Sequence, residues 1–206
     1  MVRLPKSFWL IAPFATWMAL MTVLPATTWA YAIRTVVVEF LLLCACCPKG
    51  SRSSLFKSGK DSASPLWFSL LWGIVVGLAV FAIWILPEQL DWAWYRRFCI
   101  IGEGGTQAVA EASAVMIAIR LIGSAFVISV AEELFFRKWL IGFAGFWPMV
   151  ALFAVEHDRW LVAAICGIAY GWLYMRRGLG AAIVAHATTN LVLGLWVLKT
   201  GQWQFW

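Results

Sequence analysis

The sequence predicts an all-α, polytopic membrane protein built as a bundle of about seven transmembrane helices. Its residues are 63% hydrophobic and 13% charged, whereas soluble domains are about 45–50% apolar and about 25% charged. The mean hydropathy is +0.84, and many of the 15 Trp and 14 Phe lie near the ends of apolar runs, as the aromatic belts of membrane proteins do. The basic residues behind the net charge of +6 lie mostly in short connections, so no nucleic-acid partner is expected.

Three apolar runs in the N-terminal half approach the length of about 20 residues that a transmembrane helix needs. Arg3 and Lys6 precede the first run, which is longer than the apolar region of about 7–15 residues in a signal peptide. We therefore expect a retained helix with its N-terminus inside. The loop 48–64 has four basic residues and one acidic residue, which indicates a cytoplasmic location. The predicted spans are 8–24, 29–47 and 66–86.

The C-terminal half continues with shorter apolar runs. The segment 87–111 has mixed charge and several aromatic residues, and it is predicted to lie outside as an interfacial helix. The next spans are predicted at 120–137, 147–155, 160–175 and 179–198, with the C-terminus outside. We divide the chain into N-terminal transmembrane helices, 1–110, and a C-terminal core, 111–206.

Two adjacent carboxylates, Glu132 and Glu133, end an apolar run and are followed by Arg137. On a helix Glu133 and Arg137 are four residues apart and can pair. Glu132 is turned about 100° away and has no partner in its own helix. A carboxylate within a membrane span is costly, and a functional role is its default interpretation. The alternative is a Glu132 that is solvated at the membrane edge.

Both histidines of the chain, His157 and His186, lie in or beside the C-terminal spans. His186 and Asn190 are four residues apart and share a helix face. Helix rise puts Glu132 roughly 7.5 Å and His186 roughly 10 Å from the inner side, at similar depth. His157 has two possible placements. It lies near the outer face if its helix starts early, or a short helix ends beside a water-filled cavity.

Such a set of polar groups among apolar helices could catalyse a reaction in which water is the nucleophile. A carboxylate with an imidazole can take a proton from water and deliver it to a leaving amine, and a second imidazole with an amide can hold an oxyanion. The same groups could instead bind a divalent metal, although no His-Glu-x-x-His motif is present. Taken singly, His186 and Asn190 could form an interhelical hydrogen bond, and His157 could be an ordinary loop residue.

Over about residues 110–200 the sequence resembles the CPBP family of CAAX prenyl proteases and bacteriocin-processing intramembrane proteases. Three motifs carry the resemblance, in the order the family has them. The matching residues are Glu132, Glu133 and Arg137 for Glu-Glu-x-x-x-Arg, Phe153 and His157 for Phe-x-x-x-His, and His186 and Asn190 for His-x-x-x-Asn.

The resemblance implies a role for each of these residues. Glu132 and His157 would activate the water, and His186 and Asn190 would stabilise the oxyanion. The region 111–206 would then be the catalytic core of the family.

The resemblance also implies that Glu133 and Arg137 hold the shape of the site. It leaves open two mechanisms, a metal-free glutamate mechanism and a metalloprotease mechanism. The second would use one divalent metal such as Zn²⁺, with Glu132, His157 and His186 as ligands.

Three further stretches, 156–160, 169–174 and 200–206, resemble the branch of the family associated with bacterial exosortase sorting systems. We therefore predict a multipass endopeptidase of the bacterial cytoplasmic membrane that cleaves a membrane-associated protein or peptide, such as a C-terminal sorting signal. Its predicted contacts are the lipid bilayer and exosortase sorting components.

Two other classes of protein compete with this interpretation. A non-catalytic binding, immunity or sorting-accessory protein would keep the fold without the reaction. A transporter ranks lowest because the sequence has no visible inverted repeat. An exosortase-like cysteine transpeptidase is disfavoured because Cys166 lies within an apolar run without an activating motif.

Overall fold

The computed structural model describes residues 5–46, 65–101 and 112–205, and these residues form helices joined by short connections. The predicted cytoplasmic loop 48–64 and the predicted boundary between 1–110 and 111–206 lie outside the described residues. The described helices are α1 Lys6–Val23, α2 Thr28–Cys46, α3 Leu66–Gln89, α4 Ala93–Cys99, α5 Ala114–Ala144, α6 Phe146–Val155, α7 Trp160–Arg177 and α8 Leu179–Thr200, followed by a short 3-10 turn, Trp203–Phe205.

Five of these helices, α1, α2, α3, α5 and α8, are long and apolar enough to cross a membrane. The protein is therefore a multipass membrane protein. Each of the seven predicted spans coincides with one helix, and the predicted interfacial segment contains α4. The all-α prediction of about seven transmembrane helices is confirmed, although α6 covers only part of the bilayer thickness.

Helix α5 is longer than the predicted span 120–137. It begins after Ser113, whose hydroxyl accepts a hydrogen bond from the backbone N–H of Met116 at 3.4 Å, as helix N-caps do. It continues to Gly145, which has a φ of 94°, a conformation that glycine tolerates better than other residues. Two stretches of α5, Gly123–Ile128 and Glu133–Leu140, have π-helical hydrogen bonding, which often marks functional sites.

Helix α6 decides between the two placements of His157. It has only 10 residues, so it is about 15 Å long, about half of the hydrocarbon core of a bilayer. His157 follows in the turn after Val155 and lines an internal cavity. Of the two predicted placements of His157, the one in which a short helix ends beside a cavity is therefore correct.

Helices α3 and α8 pack closely through two glycines of α3. A Cβ atom on Gly73 would lie 2.8 Å from the carbonyl oxygen of Ala181, and one on Gly77 would lie 2.5 Å from that of Ala185. Only the lack of a side chain permits this approach, as in other small-xxx-small helix contacts in membranes. The contact holds α8, the helix that carries His186 and Asn190, against α3.

The outer end of the bundle, as the sequence predicts its orientation, is closed by polar contacts. Arg159 forms an ion pair with Glu88, with Nε and Oε1 2.5 Å apart. Its guanidinium also lies over the ring of Phe205, 4.6 Å from the centroid. Gln89 donates a hydrogen bond to Gln202 at 2.8 Å. These contacts join the end of α3, the turn before α7 and the C-terminal 3-10 turn.

Candidate active site

The site is built around the ion pair of Glu133 and Arg137 in α5. Their Oε1 and NH1 atoms are 3.0 Å apart, and both side chains are fully buried, which confirms the predicted pairing. The guanidinium of Arg137 also lies 4.3 Å from the ring centroid of Phe153 and 5.3 Å from that of Tyr170. These aromatic faces add cation–π attraction and fix the guanidinium beneath the site.

His186 of α8 contacts both glutamates. Its Nδ1 is 2.9 Å from Oε1 of Glu133, and its Nε2 is 3.8 Å from Oε2 of Glu132. Because an ionised carboxylate only accepts hydrogen bonds, Nδ1 donates to Glu133. Glu132 is 6% exposed within the protein, so it faces α8 and is not solvated at the membrane edge.

His157 is fixed by the end of its own helix. Its Nδ1 is 2.8 Å from the carbonyl oxygen of Phe153. A carbonyl oxygen can only accept, so Nδ1 donates and Nε2 is left as the ring nitrogen with a free lone pair. The ring packs against Phe153 and Trp84, with centroid separations of 4.6 and 5.7 Å.

Asn190 lies one turn beyond His186 and faces α5. Its amide nitrogen donates to the carbonyl oxygen of Ser124 at 3.0 Å and to the hydroxyl oxygen of Ser129 at 3.1 Å. The role of oxyanion donor that the resemblance implies would need an N–H directed at the substrate. The two acceptors are 3.1 Å apart and lie on one side of the nitrogen, and Asn190 also lines the cavity, so the oxyanion role stays a prediction.

These side chains surround one cavity of about 180 Å³. One water molecule occupies about 30 Å³ in the liquid, so the cavity has room for a few waters. The structure brings all four predicted catalytic residues to this cavity, from three separate parts of the chain. Its lining includes Glu132, His157, His186, Asn190, Tyr170 and Cys166.

Tyr170 of α7 lies in the stretch 169–174 but was not predicted to be part of the site. Its ring stacks on that of His186 at a centroid separation of 5.0 Å and an interplanar angle of 21°. Its hydroxyl donates to Thr189 at 2.6 Å, and the Thr189 hydroxyl donates to the carbonyl oxygen of Gly77 at 2.9 Å. A tyrosine or a serine in an apolar helix is common, so the spacing alone gave no signal for Tyr170 or Ser129.

The predicted metal ligands do not form a metal-binding cluster. Within the three described ranges, no group of three His, Cys, Asp or Glu side chains could hold a metal ion. Glu132, His157 and His186 line the same cavity, and the metal-dependent alternative stays a prediction.

The helices and the cavity define a polytopic membrane protein with a buried site of carboxylates and imidazoles. Residues 114–192 match the family model described as type II CAAX prenyl endopeptidase Rce1-like. The match covers less than half of the chain but spans all three motifs, and it supports the CAAX protease family. The match does not distinguish the exosortase-associated branch, which stays a prediction. No curated protein and no solved structure matches the chain.

Proposed function

We propose that this protein is an intramembrane endopeptidase that hydrolyses a peptide bond with a water molecule activated by Glu132 and His157. The observation that carries the proposal is the cavity of about 180 Å³ that Glu132, His157 and His186 line among membrane helices. The family match over residues 114–192 supports the same class of reaction.

In the first step, a water molecule in the cavity attacks the carbonyl carbon of the scissile bond. The Glu132 carboxylate accepts one proton of this water as the new C–O bond forms, which is general base catalysis. The Nε2 lone pair of His157 accepts a hydrogen bond from the other O–H and so orients the water. The hydrogen bond from Nδ1 to Phe153 at 2.8 Å keeps Nε2 in this role.

The carbonyl oxygen becomes an oxyanion in the tetrahedral intermediate. We assign the oxyanion to His186, which offers an Nε2–H while its Nδ1–H stays on Glu133, and to the side-chain amide of Asn190. Such a fixed donor is effective because it needs no reorganisation when the charge develops. Arg137 supports the arrangement by compensating the charge of Glu133, 3.0 Å away.

In the last step, the protonated Glu132 gives its proton to the amide nitrogen as the C–N bond breaks. The products are a new carboxyl terminus and a free amine, and Glu132 returns to its ionised form. No further co-reactant is needed, because water supplies both the hydroxyl and the proton.

The substrate that we propose is a membrane-associated segment of a protein or peptide, because the cavity lies between membrane helices. A C-terminal sorting signal fits this description, and exosortase sorting components would then be partners. Because the loop 48–64 and the N-terminal segment are basic, we place the protein in a bacterial cytoplasmic membrane with its N-terminus inside.

The test is made in the source cell. Glu132→Ala is introduced on the chromosome, protein levels are matched, and the termini of membrane and exported proteins are compared by mass spectrometry. The control is Glu39→Ala, which removes an exposed carboxylate of α2 away from the cavity.

A protease predicts a defined set of uncut termini with Glu132→Ala and none with Glu39→Ala. Unchanged termini with Glu132→Ala, together with an effect of deleting the whole protein, would reject the reaction and leave a binding role.

A further inference from the structure

We propose that Phe205 is a specificity-determining residue, which closes one end of the cavity as an apolar subsite and limits the size of the substrate side chain that binds there. The inference rests on the proposed function and names a feature of the substrate that the site selects. This feature is an apolar side chain of limited size within three residues of the scissile bond.

The cavity has a polar end and an apolar end. Glu132 and His186 mark the polar end, with Oε2 and Nε2 3.8 Å apart. Trp84, Leu193 and Phe205 also line the cavity, and they pack together in one apolar cluster. Leu193 lies two turns beyond His186 along α8, a rise of about 10 Å. The cluster therefore forms the end of the cavity away from the reacting carboxylate.

The apolar end is built by parts of the chain that the family model does not match. Trp84 and Phe205 lie well outside the matched segment 114–192, and Leu193 follows its end directly. All other residues that line the cavity lie within that segment. The reacting groups are thus common to this chain and the family model, whereas the apolar end depends on this chain's own additions.

Phe205 is held on several sides. Gly201, with a φ of 69°, ends α8 in the left-handed conformation that glycine favours, and the chain turns back so that Phe205 packs against α8. The ring of Phe205 meets that of Trp196 edge to face at 5.5 Å. Its other contact is the guanidinium of Arg159, 4.6 Å from the centroid. Because Arg159 is paired with Glu88, the ring is fixed to the end of α3 as well as to α8.

Trp84 joins the apolar end to the reacting groups. Its ring lies 5.7 Å from that of His157, at an interplanar angle of 75°, and it packs against the cluster of Leu193 and Phe205. An extended peptide covers about 3.3 Å per residue, so a side chain within three residues of a scissile bond beside His157 reaches this cluster. Apolar walls offer few hydrogen bonds to water, and an apolar side chain that displaces such water gains affinity.

The fixed ring of Phe205 also sets a limit of size. Protein interiors are close-packed, so added volume forces neighbouring groups to shift at a cost. An apolar pocket discriminates about 10–200-fold for a single methylene. We therefore expect the subsite to accept a Leu side chain and to reject a Trp side chain.

The experiment compares kcat/KM for a set of internally quenched peptides with the full-length protein. Each peptide spans the first cleavage site identified in the Glu132→Ala comparison and carries Ala, Leu or Trp at one of the three positions on either side of the scissile bond. The variants are Phe205→Ala and Leu193→Ala, which both enlarge the subsite. Phe81→Ala is the matched control, because Phe81 packs against the same cluster but is not among the described residues that line the cavity.

At one position, the original protein should cleave the Leu peptide better than the Trp peptide. Phe205→Ala and Leu193→Ala should each raise kcat/KM for the Trp peptide relative to the Leu peptide by about tenfold or more. Phe81→Ala should leave this ratio unchanged. The ratio reports the shape of the subsite, and a loss of folded protein does not alter it because both peptides are affected equally.

A ratio that stays unchanged in both enlarged variants, at every position tested, overturns the inference. It is also overturned if both variants lose activity on all peptides alike, in parallel with a lower melting temperature, since Phe205 would then only support the fold. If the Glu132→Ala protein still cleaves the peptides, the proposed function fails, which is a separate result.

Discussion

The Glu133 carboxylate and the Arg137 guanidinium form an ion pair at 3.0 Å within one helix, and neither side chain is exposed. A buried pair of this kind is costly to break because the charge that remains is neither paired nor solvated. Here the pair also sets the site, since the same carboxylate oxygen of Glu133 accepts from Nδ1 of His186 at 2.9 Å.

Replacing Arg137 by Ala should therefore destabilise the protein strongly. Removal of one partner of a buried pair costs about 3–5 kcal/mol, and we expect a loss of this order in detergent, measured by equilibrium unfolding. The double variant Glu133→Gln and Arg137→Met should recover part of the stability, because it leaves no unpaired charge, but no activity.

The control for this prediction is Arg96→Ala, which breaks the exposed pair of Arg96 and Asp91. Exposed pairs contribute about 0–1 kcal/mol, so this variant should unfold nearly as the original protein does. Equal losses for the two variants would contradict a structural role for Arg137.

Gly77→Ala should lower both stability and activity. The added Cβ would lie 2.5 Å from the carbonyl oxygen of Ala185 and 2.7 Å from Cβ of Thr188, so α8 has to move away from α3. Overpacking typically costs about 1–3 kcal/mol, and the movement displaces His186, one residue beyond Ala185.

The measurement is the melting temperature together with peptide cleavage by the purified variant. Gly180→Ala is the matched control, because a Cβ atom there has nothing within 4 Å. It should leave both quantities nearly unchanged. A fully active Gly77→Ala would show that the contact of α3 and α8 does not hold the site.

Tyr170 should act mainly through its ring. Tyr170→Phe keeps the stacking on His186 and removes the hydrogen bond to Thr189, so it should cost about 1 kcal/mol of stability and little turnover. Tyr170→Leu removes the stacking. Because an aromatic pair contributes about 0.5–1.5 kcal/mol, this variant should lower the turnover number by up to about tenfold.

Steady-state kinetics distinguish the two variants, with an internally quenched peptide that spans the first cleavage site identified in the Glu132→Ala comparison. Tyr174→Leu, one turn further along α7, is the control and should stay active. Similar losses for Tyr170→Phe and Tyr170→Leu would show that the hydroxyl, and not the stacked ring, holds His186.

Much of the site could be predicted from sequence because it depends on local spacing. Glu133 and Arg137 are four residues apart on one helix, and their pairing follows from helix geometry. The three motifs also predicted the family whose model matches residues 114–192. The hydrogen bond from Asn190 to Ser129 could not be predicted, because it joins residues 61 positions apart and a serine in an apolar run has many ordinary explanations.

The sequence by itself determined the class of protein, the positions of the helices and the charged residues that are costly to bury in a membrane. These follow from the composition, from the length of apolar runs and from the periodicity of one helix, all of which are local. Only the tertiary structure decided that Glu132 faces His186, that α6 ends beside the cavity, and that the amide nitrogen of Asn190 faces α5. Those outcomes depend on the side on which each helix packs and on its register against a neighbour, which no spacing within a single helix specifies.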